Sequence, residues 1–328
     1  MTSARPIAVI GAGHHAAELQ SHAAPVEGIE IAACAPAPGE ADGDASERFA
    51  HRLGAAYSPN WKPLVDDPNL PGILALGPAP GRAQVLEAAL NAGKVAVCPF
   101  PPALDTAGLE RLADARRRGG GALLSVSELA GTGAGAHALE AVREGRLGKL
   151  HSVWVAARYR VDAGAAESVL DQCAWPVLDF VLTAVQGPAV RVHAALAALF
   201  ERGPQPDTAV VLIRFEQDVV ATLELSRCLP RSIAAPERGE VEIELIGAKE
   251  VVRIEPHRSS VSVYETAGAS ARSWIDGPLV RTLPLMGAAL QAKDAGECCL
   301  ERAGRAIAIM DAIKRFQRPG SGGADAQD

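Results

Sequence analysis

Along the first third of the chain, short apolar blocks alternate with longer stretches in which Ala and Leu recur at helical spacing. The blocks at 7–10, 28–35, 73–76, 95–98 and 122–126 are brief and almost uniformly apolar, and they read as buried strands. The stretches at 13–22, 44–53, 82–92 and 107–118 read as helices, the third closed by Gly93 at a C-cap position. Strand and helix in alternation predict a parallel sheet with helices on both faces. Beyond about residue 150 the period changes. Segments 150–160, 190–200, 208–215, 219–226, 241–245, 250–255 and 259–265 are rich in β-formers, and several alternate apolar with polar residues, as in VEIEL at 241–245. Such a run predicts an open, mostly antiparallel sheet half covered by helices. Helices are expected at 165–185 and 288–316, the second as one long helix that closes the chain. The tail PGSGGADAQD, at 319–328, has the composition of a disordered segment. An α/β domain at 1–123, a second α/β domain at 124–318 and the tail at 319–328 complete the division.

The end of the first strand carries the first candidate chemistry. Gly11-Ala-Gly13-His14-His15-Ala16 has G-x-G-x-x-A spacing between a strand and a helix. There the first glycine makes the turn, the second lets a pyrophosphate approach the backbone, and the small third residue packs helix on strand. Free N–H groups at the helix N-terminus complete a phosphate site. A Rossmann-type dinucleotide-binding domain is therefore expected, with Gly11, Gly13, His14, His15 and Ala16 at the phosphates. The second strand departs from the pattern. It ends Ala33-Cys34-Ala35-Pro36-Ala37, without the acid that accepts ribose hydroxyls and without an Arg for a 2′-phosphate. Glu40, Asp42 and Asp44 follow in the loop as possible substitutes.

Composition narrows the class. Hydrophobic residues make up 48% of the 328, too many for a disordered protein, and no apolar run has membrane-spanning length. MTSARPIAVIGAG runs straight into a strand, which predicts a cytoplasmic protein. A net charge of −7 without a basic stripe argues against a nucleic-acid partner. The one cationic cluster, Arg116-Arg117-Arg118, suits a helix C-terminus. Cysteines at 34, 98, 173, 228, 298 and 299 show no C-x-x-C spacing and read as reduced, mostly buried thiols. No metal-ligand spacing, nucleophile elbow or P-loop is present.

Three further segments carry a resemblance that runs from Pro6 to about Pro319. AALNAGKVAVC at 88–98 is a helix, a glycine and a strand that enters a turn. AVREGRLGKL at 141–150 leads into another strand, and Asp171-x-x-x-Trp175-Pro176 precedes Gly187-Pro188. In this order, with the glycine turn, the chain resembles the glucose-fructose oxidoreductase / inositol dehydrogenase / rhizopine-catabolism (Gfo/Idh/MocA) family. The resemblance implies a Rossmann domain plus an α/β domain whose open sheet makes oligomer contacts in a homodimer or homotetramer. It implies NAD or NADP as cofactor and hydride transfer at a carbon of a small molecule, a sugar or polyol. Further cofactor contacts are implied at Ala35, Gly77, Pro78 and Pro99.

The same resemblance locates departures. The family's Glu-Lys-Pro turn after the fourth strand, whose Lys holds the substrate hydroxyl, aligns with Pro99-Phe100-Pro101. Its His or Tyr acid/base aligns with Trp175, and a His after the third strand aligns with Arg82. Only Asp171 stands where the family has its Asp. Hydride transfer between alcohol and carbonyl moves a proton as well, and neither Phe nor Trp can carry it. Asp171 and Tyr159 remain as candidate acids, Tyr159 flanked by Arg158 and Arg160 on the opposite strand face. Phe100 and Trp175 are also candidates to line a pocket for a planar or apolar ligand. Two hypotheses follow. One is an NAD(P)-dependent oxidoreductase with a degenerate catalytic motif and an unknown small-molecule substrate; the other is a non-redox descendant serving as a binding or partner subunit.

Overall fold

The computed structural model describes residues 4–11, 28–40, 43–160, 168–200, 205–229, 239–258, 260–265, 268–273, 278–292 and 299–317. The short apolar blocks become strands β1 (Arg5–Ile10), β2 (Ile29–Ala35), β3 (Ala56–Tyr57), β4 (Gly72–Ala75), β5 (Val95–Pro99) and β6 (Ala122–Val126). All pair in parallel, in the order β3-β2-β1-β4-β5-β6. Helices α1 (Gly43–Leu53), α2 (Lys62–Asp66), α3 (Ala79–Asn91) and α4 (Thr106–Gly119) alternate with them. Residues 7–10 and 72–75 are buried throughout, which is why these strands lack a polar face. The expected helix at 13–22 lies outside the described residues.

Local signals set the element ends. Asp105 caps α4 by accepting the Gly108 N–H at 2.6 Å. Arg116, Arg117 and Arg118 occupy the last turn of α4, before Gly120 in the left-handed region. Lys94, just before β5, is buried, and its ammonium donates to the carbonyls of Asp67 and Leu70 at 2.6 and 2.7 Å. The lysine ties the loop before β4 to the start of β5.

At the C-terminal end the described residues form helices α7 (Pro278–Ala292) and α8 (Cys299–Lys314), and 293–298 of the helix expected at 288–316 lie outside the described residues. The first of these begins ahead of the expected stretch, where packing supports it. Leu283, Met286 and Ala289 of α7 enter the core of the first sheet, with Ile7, Val9, Leu74 and Val97. Met286 sits against Gly72 and Ile7, where a Cβ on Gly72 would stand 2.6 Å from the methionine Cε. The chain forms two compact units, Met1–Gly131 with Gly277–Gly304, and Thr132–Asp276 with Arg305–Asp328. Residues 278–292 fall in the first of these units.

In the second unit α5 (Gly133–Arg143) is followed by β7 (Leu150–Arg160), a π-helical turn (Leu170–Ala174) and α6 (Trp175–Ala184). Strands β8 (Ala189–Ala197), β9 (Thr208–Phe215), β10 (Val220–Leu229), β11 (Glu240–Gly247), β12 (Glu250–Glu255), β13 (Ser260–Glu265) and β14 (Gly268–Ser273) follow. They join β7 in an eight-stranded sheet ordered β14-β13-β12-β11-β7-β10-β9-β8, antiparallel except for β7 with β10. Alternate residues such as Val211, Ile213, Leu223, Leu225, Ile243 and Leu245 are buried beneath the helices. The other face is open and mixed. Val210 and Leu212 are exposed there, Trp154 donates its indole N–H to Glu224, and Arg253 pairs with Glu244 across the β11–β12 ladder.

Met286→Ala removes a fully buried side chain from the first core, at a cost of about 2–5 kcal/mol. Thermal or urea unfolding checks the loss, and a surface Leu285→Ala, beside it but exposed, leaves stability nearly unchanged.

Candidate active site

The carboxyl edge of the first sheet gathers part of the expected site. In the order β2-β1-β4 the strand order reverses between β1 and β4, the place where open α/β sheets hold dinucleotides. Gly11 ends β1 with φ +76°, and its N–H donates to the Ala35 carbonyl at 2.8 Å. Gly77 and Pro78 follow β4, and Pro78 is the N-cap of α3. Gly11, Ala35, Gly77 and Pro78 are thus placed on one edge, and Pro99 ends β5 on the same sheet. Gly13, His14, His15 and Ala16 lie outside the described residues.

The turn after β2 approaches this edge closely. A Cβ built on Gly11 would stand 2.6 Å from Gly77 Cα and 2.8 Å from Ala37 Cβ. One on Gly77 would overlap Ala37, and one on Gly81, in the first turn of α3, would overlap the Pro38 carbonyl. Pro38 and Gly39 (φ +77°) occupy the middle of a tight turn closed by the Glu40 N–H on the Ala37 carbonyl at 3.1 Å, the arrangement of a type II turn. Glu40, a possible substitute for the missing ribose acid, turns back into its own loop. Its carboxylate accepts from the Ala37 N–H at 2.9 Å and from the buried Ser46 hydroxyl at 3.3 Å. Asp44 is exposed on α1, and Asp42 lies outside the described residues.

At β5 the chain turns through Pro99, Phe100 and Pro101, with a cis peptide between the last two. Phe100 is buried, and its N–H donates to the Val126 carbonyl at 3.1 Å. Arg82, also buried, donates to the carbonyls of Gly77 at 3.3 Å and Pro101 at 2.8 Å, joining the β4 and β5 turns. Among the described residues its Nε has no hydrogen-bond partner. The Arg302 guanidinium lies 5.7 Å from the Phe100 ring centroid and 3.4 Å from the Ser125 hydroxyl. Sequence reasoning missed Arg302, which lies 177 positions from Ser125 and carries no local signal. Arg82 was noted only as standing at a histidine position. Cys98 ends the buried part of β5, and burial pushes its thiol up to about 11 against the opposing pull of Arg82.

In the second unit the remaining candidates have unlike surroundings. Asp171, in the π-helical turn, is exposed and pairs with Lys314 at 3.4 Å. Trp175 starts α6 and is buried. Tyr159 is buried on the inner face of β7, its ring against Gly239, whereas Arg158 is on the open face, 4.0 Å from Glu242. Among the described residues no group of three His, Cys, Asp or Glu side chains could hold a metal ion, and no helix is long and apolar enough to cross a membrane.

Residues 136–253 match the GFO/IDH/MocA C-terminal domain. No curated protein matches the chain. Similar solved structures include UDP-N-acetylglucosamine 3-dehydrogenase GnnA from Acidithiobacillus ferrooxidans, with TM-score 0.79 and 16% identity over 95% of this chain and 99% of that one. GenD2 from gentamicin A biosynthesis, in complex with NAD, has TM-score 0.77 and 19% identity over 97% and 95%. Myo-inositol 2-dehydrogenase from Lactobacillus plantarum has TM-score 0.75 and 18% identity over 96% and 97%. At these identities the likeness is one of fold. The chain shares the fold of these oxidoreductases in both sheets, and residues 136–253 of its second unit match the GFO/IDH/MocA C-terminal domain.

That fold implies a nicotinamide dinucleotide at the β1–β4 edge. The described residues do not fit its adenosine half. Among the described residues no acid is presented to a ribose, and Ala37 and Pro38 lie directly on Gly77 and Gly81.

Arg82→Met removes the donors to two buried carbonyls and lowers stability by about 1–3 kcal/mol, with Arg82→Lys between the two, measured by urea unfolding. Cys98 adds a pH dependence. An unfolded thiol ionises near 9.0, whereas folded Cys98 keeps its proton to about 11. The folded state therefore binds more protons in that window, and stability falls as pH rises through it. Melts at neutral and alkaline pH check this, with Cys98→Ala showing a smaller fall.

Proposed function

We propose that this protein is a non-redox descendant of NAD(P)-dependent Gfo/Idh/MocA oxidoreductases, a cytoplasmic binding or partner subunit for a small molecule. One observation carries the reading. Where the resemblance puts the lysine of a Glu-Lys-Pro turn, the structure has Phe100, buried and overlaid by a guanidinium. Arginine stays protonated at working pH, so Arg302 suits an anionic or planar ligand but cannot relay a proton. Trp175, at the family's acid/base position, cannot relay one either. Asp171 is engaged with Lys314.

A second reading is an NAD(P)-dependent oxidoreductase with a rebuilt site, on an unidentified substrate that needs less help with the proton, such as an imine. The Gly11 turn, with φ +76° at the end of β1, favours it, as does the likeness to GenD2, solved with NAD. Spectrophotometry at 340 nm separates the two. Purified chain with NADH or NADPH and a panel of carbonyls and imines, or with NAD(P)+ and polyols, is expected to show the background rate. Steady turnover with any pair overturns the first reading and supports the second. Loss of a positioned acid/base group forfeits about 10²–10⁴ in rate, so the assay must follow slow reactions.

The open face of the second sheet supports self-association as a homodimer or homotetramer, since Val210 and Leu212 are 46% and 43% exposed on neighbouring registers. Light scattering after size exclusion is expected to give an oligomer, and Leu212→Glu a smaller species.

A further inference from the structure

We infer that the turn at 37–40 is a built-in occupant of the adenosine cleft, so that the first unit takes no nicotinamide dinucleotide. The inference uses residues distinct from those behind the proposed function, which rests on the β5 turn. In a doubly wound sheet the ligand lies outside the carboxyl ends of the strands, where the strand order reverses. Here β1 and β4 flank that point, and their ends are Gly11 and Gly77. Ala37 comes from β2, on the far side of β1, yet it touches both glycines. The chain therefore crosses the top of β1 to reach β4, and Pro38 continues onto Gly81 at the start of α3. Ala37 is 6% exposed. A ribose or adenine between these turns would have to displace backbone, since neither Gly77 nor Gly81 has a side chain to swing aside.

The closure has its own fastening. Pro38 and Gly39 supply the fixed φ and the positive φ of the turn. Glu40 holds the Ala37 N–H, and through Ser46 it anchors the turn to α1. The Glu40 carboxylate is thus engaged in keeping the turn in place. Glycine at 77 and 81 is required because a methyl at either position overlaps the turn.

Calorimetric titration of the full chain, shown to melt cooperatively, with NADH, NADPH and ADP-ribose tests this. The expected result is no saturable heat up to millimolar ligand. Saturable one-to-one binding below millimolar overturns the inference. Such binding without turnover leaves the proposed function standing, whereas turnover overturns both. Gly77→Ala and Gly81→Ala give a second readout that needs no ligand. Overpacking against the turn is expected to lower Tm by several degrees for each, or to abolish folding. Unchanged Tm in both variants means that the turn does not rest on these glycines and overturns the closure.

Discussion

The contact of Ala37 with Gly11 and Gly77 is the constraint on which the first unit's chemistry turns. A parallel sheet buried on both faces has only its carboxyl edge left for ligands. Gly77 stands at the centre of that edge. Ala37 packs on it from the β2 side, Gly11 lies beside it, and its carbonyl accepts from Arg82, which also holds Pro101. One residue without a side chain thereby links the turns after four strands. What would be two halves of a cofactor groove is held as a single piece of packed backbone.

The β5 turn is filled by the apolar side chain of Phe100, and Arg302 covers its ring. Charge is therefore present in a form that binds and does not give up its proton. Cys98, two residues before Phe100, is another ionisable group nearby, and burial keeps it a neutral thiol.

Much of the architecture was legible in the sequence because it is written locally. Uniformly apolar blocks became the parallel strands, VEIEL at 241–245 fell within alternating β11, and Gly120 closed α4 after its three arginines. What was not legible depends on partners distant in sequence. Helix α7 carries Pro284 in its interior, a helix breaker in a local pattern, and it is helical because Met286 and its neighbours find the first core. The strut role of Arg82 and the position of Arg302 on Phe100 likewise need the folded chain. Glu40 read as an available acid because nothing in a linear pattern shows a carboxylate folding back on its own turn.

The Pro38-Gly39 turn also bears on how such a chain can change over time. A lost side chain at a binding site can return by a single substitution. Here an acid regained after β2 would meet a closed edge, and an edge reopened by a residue at 77 or 81 would meet no acid. Each reversal is disadvantageous until the other is made, so the turn acts as a ratchet: drift proceeds more readily toward new uses of the scaffold than back to the old one.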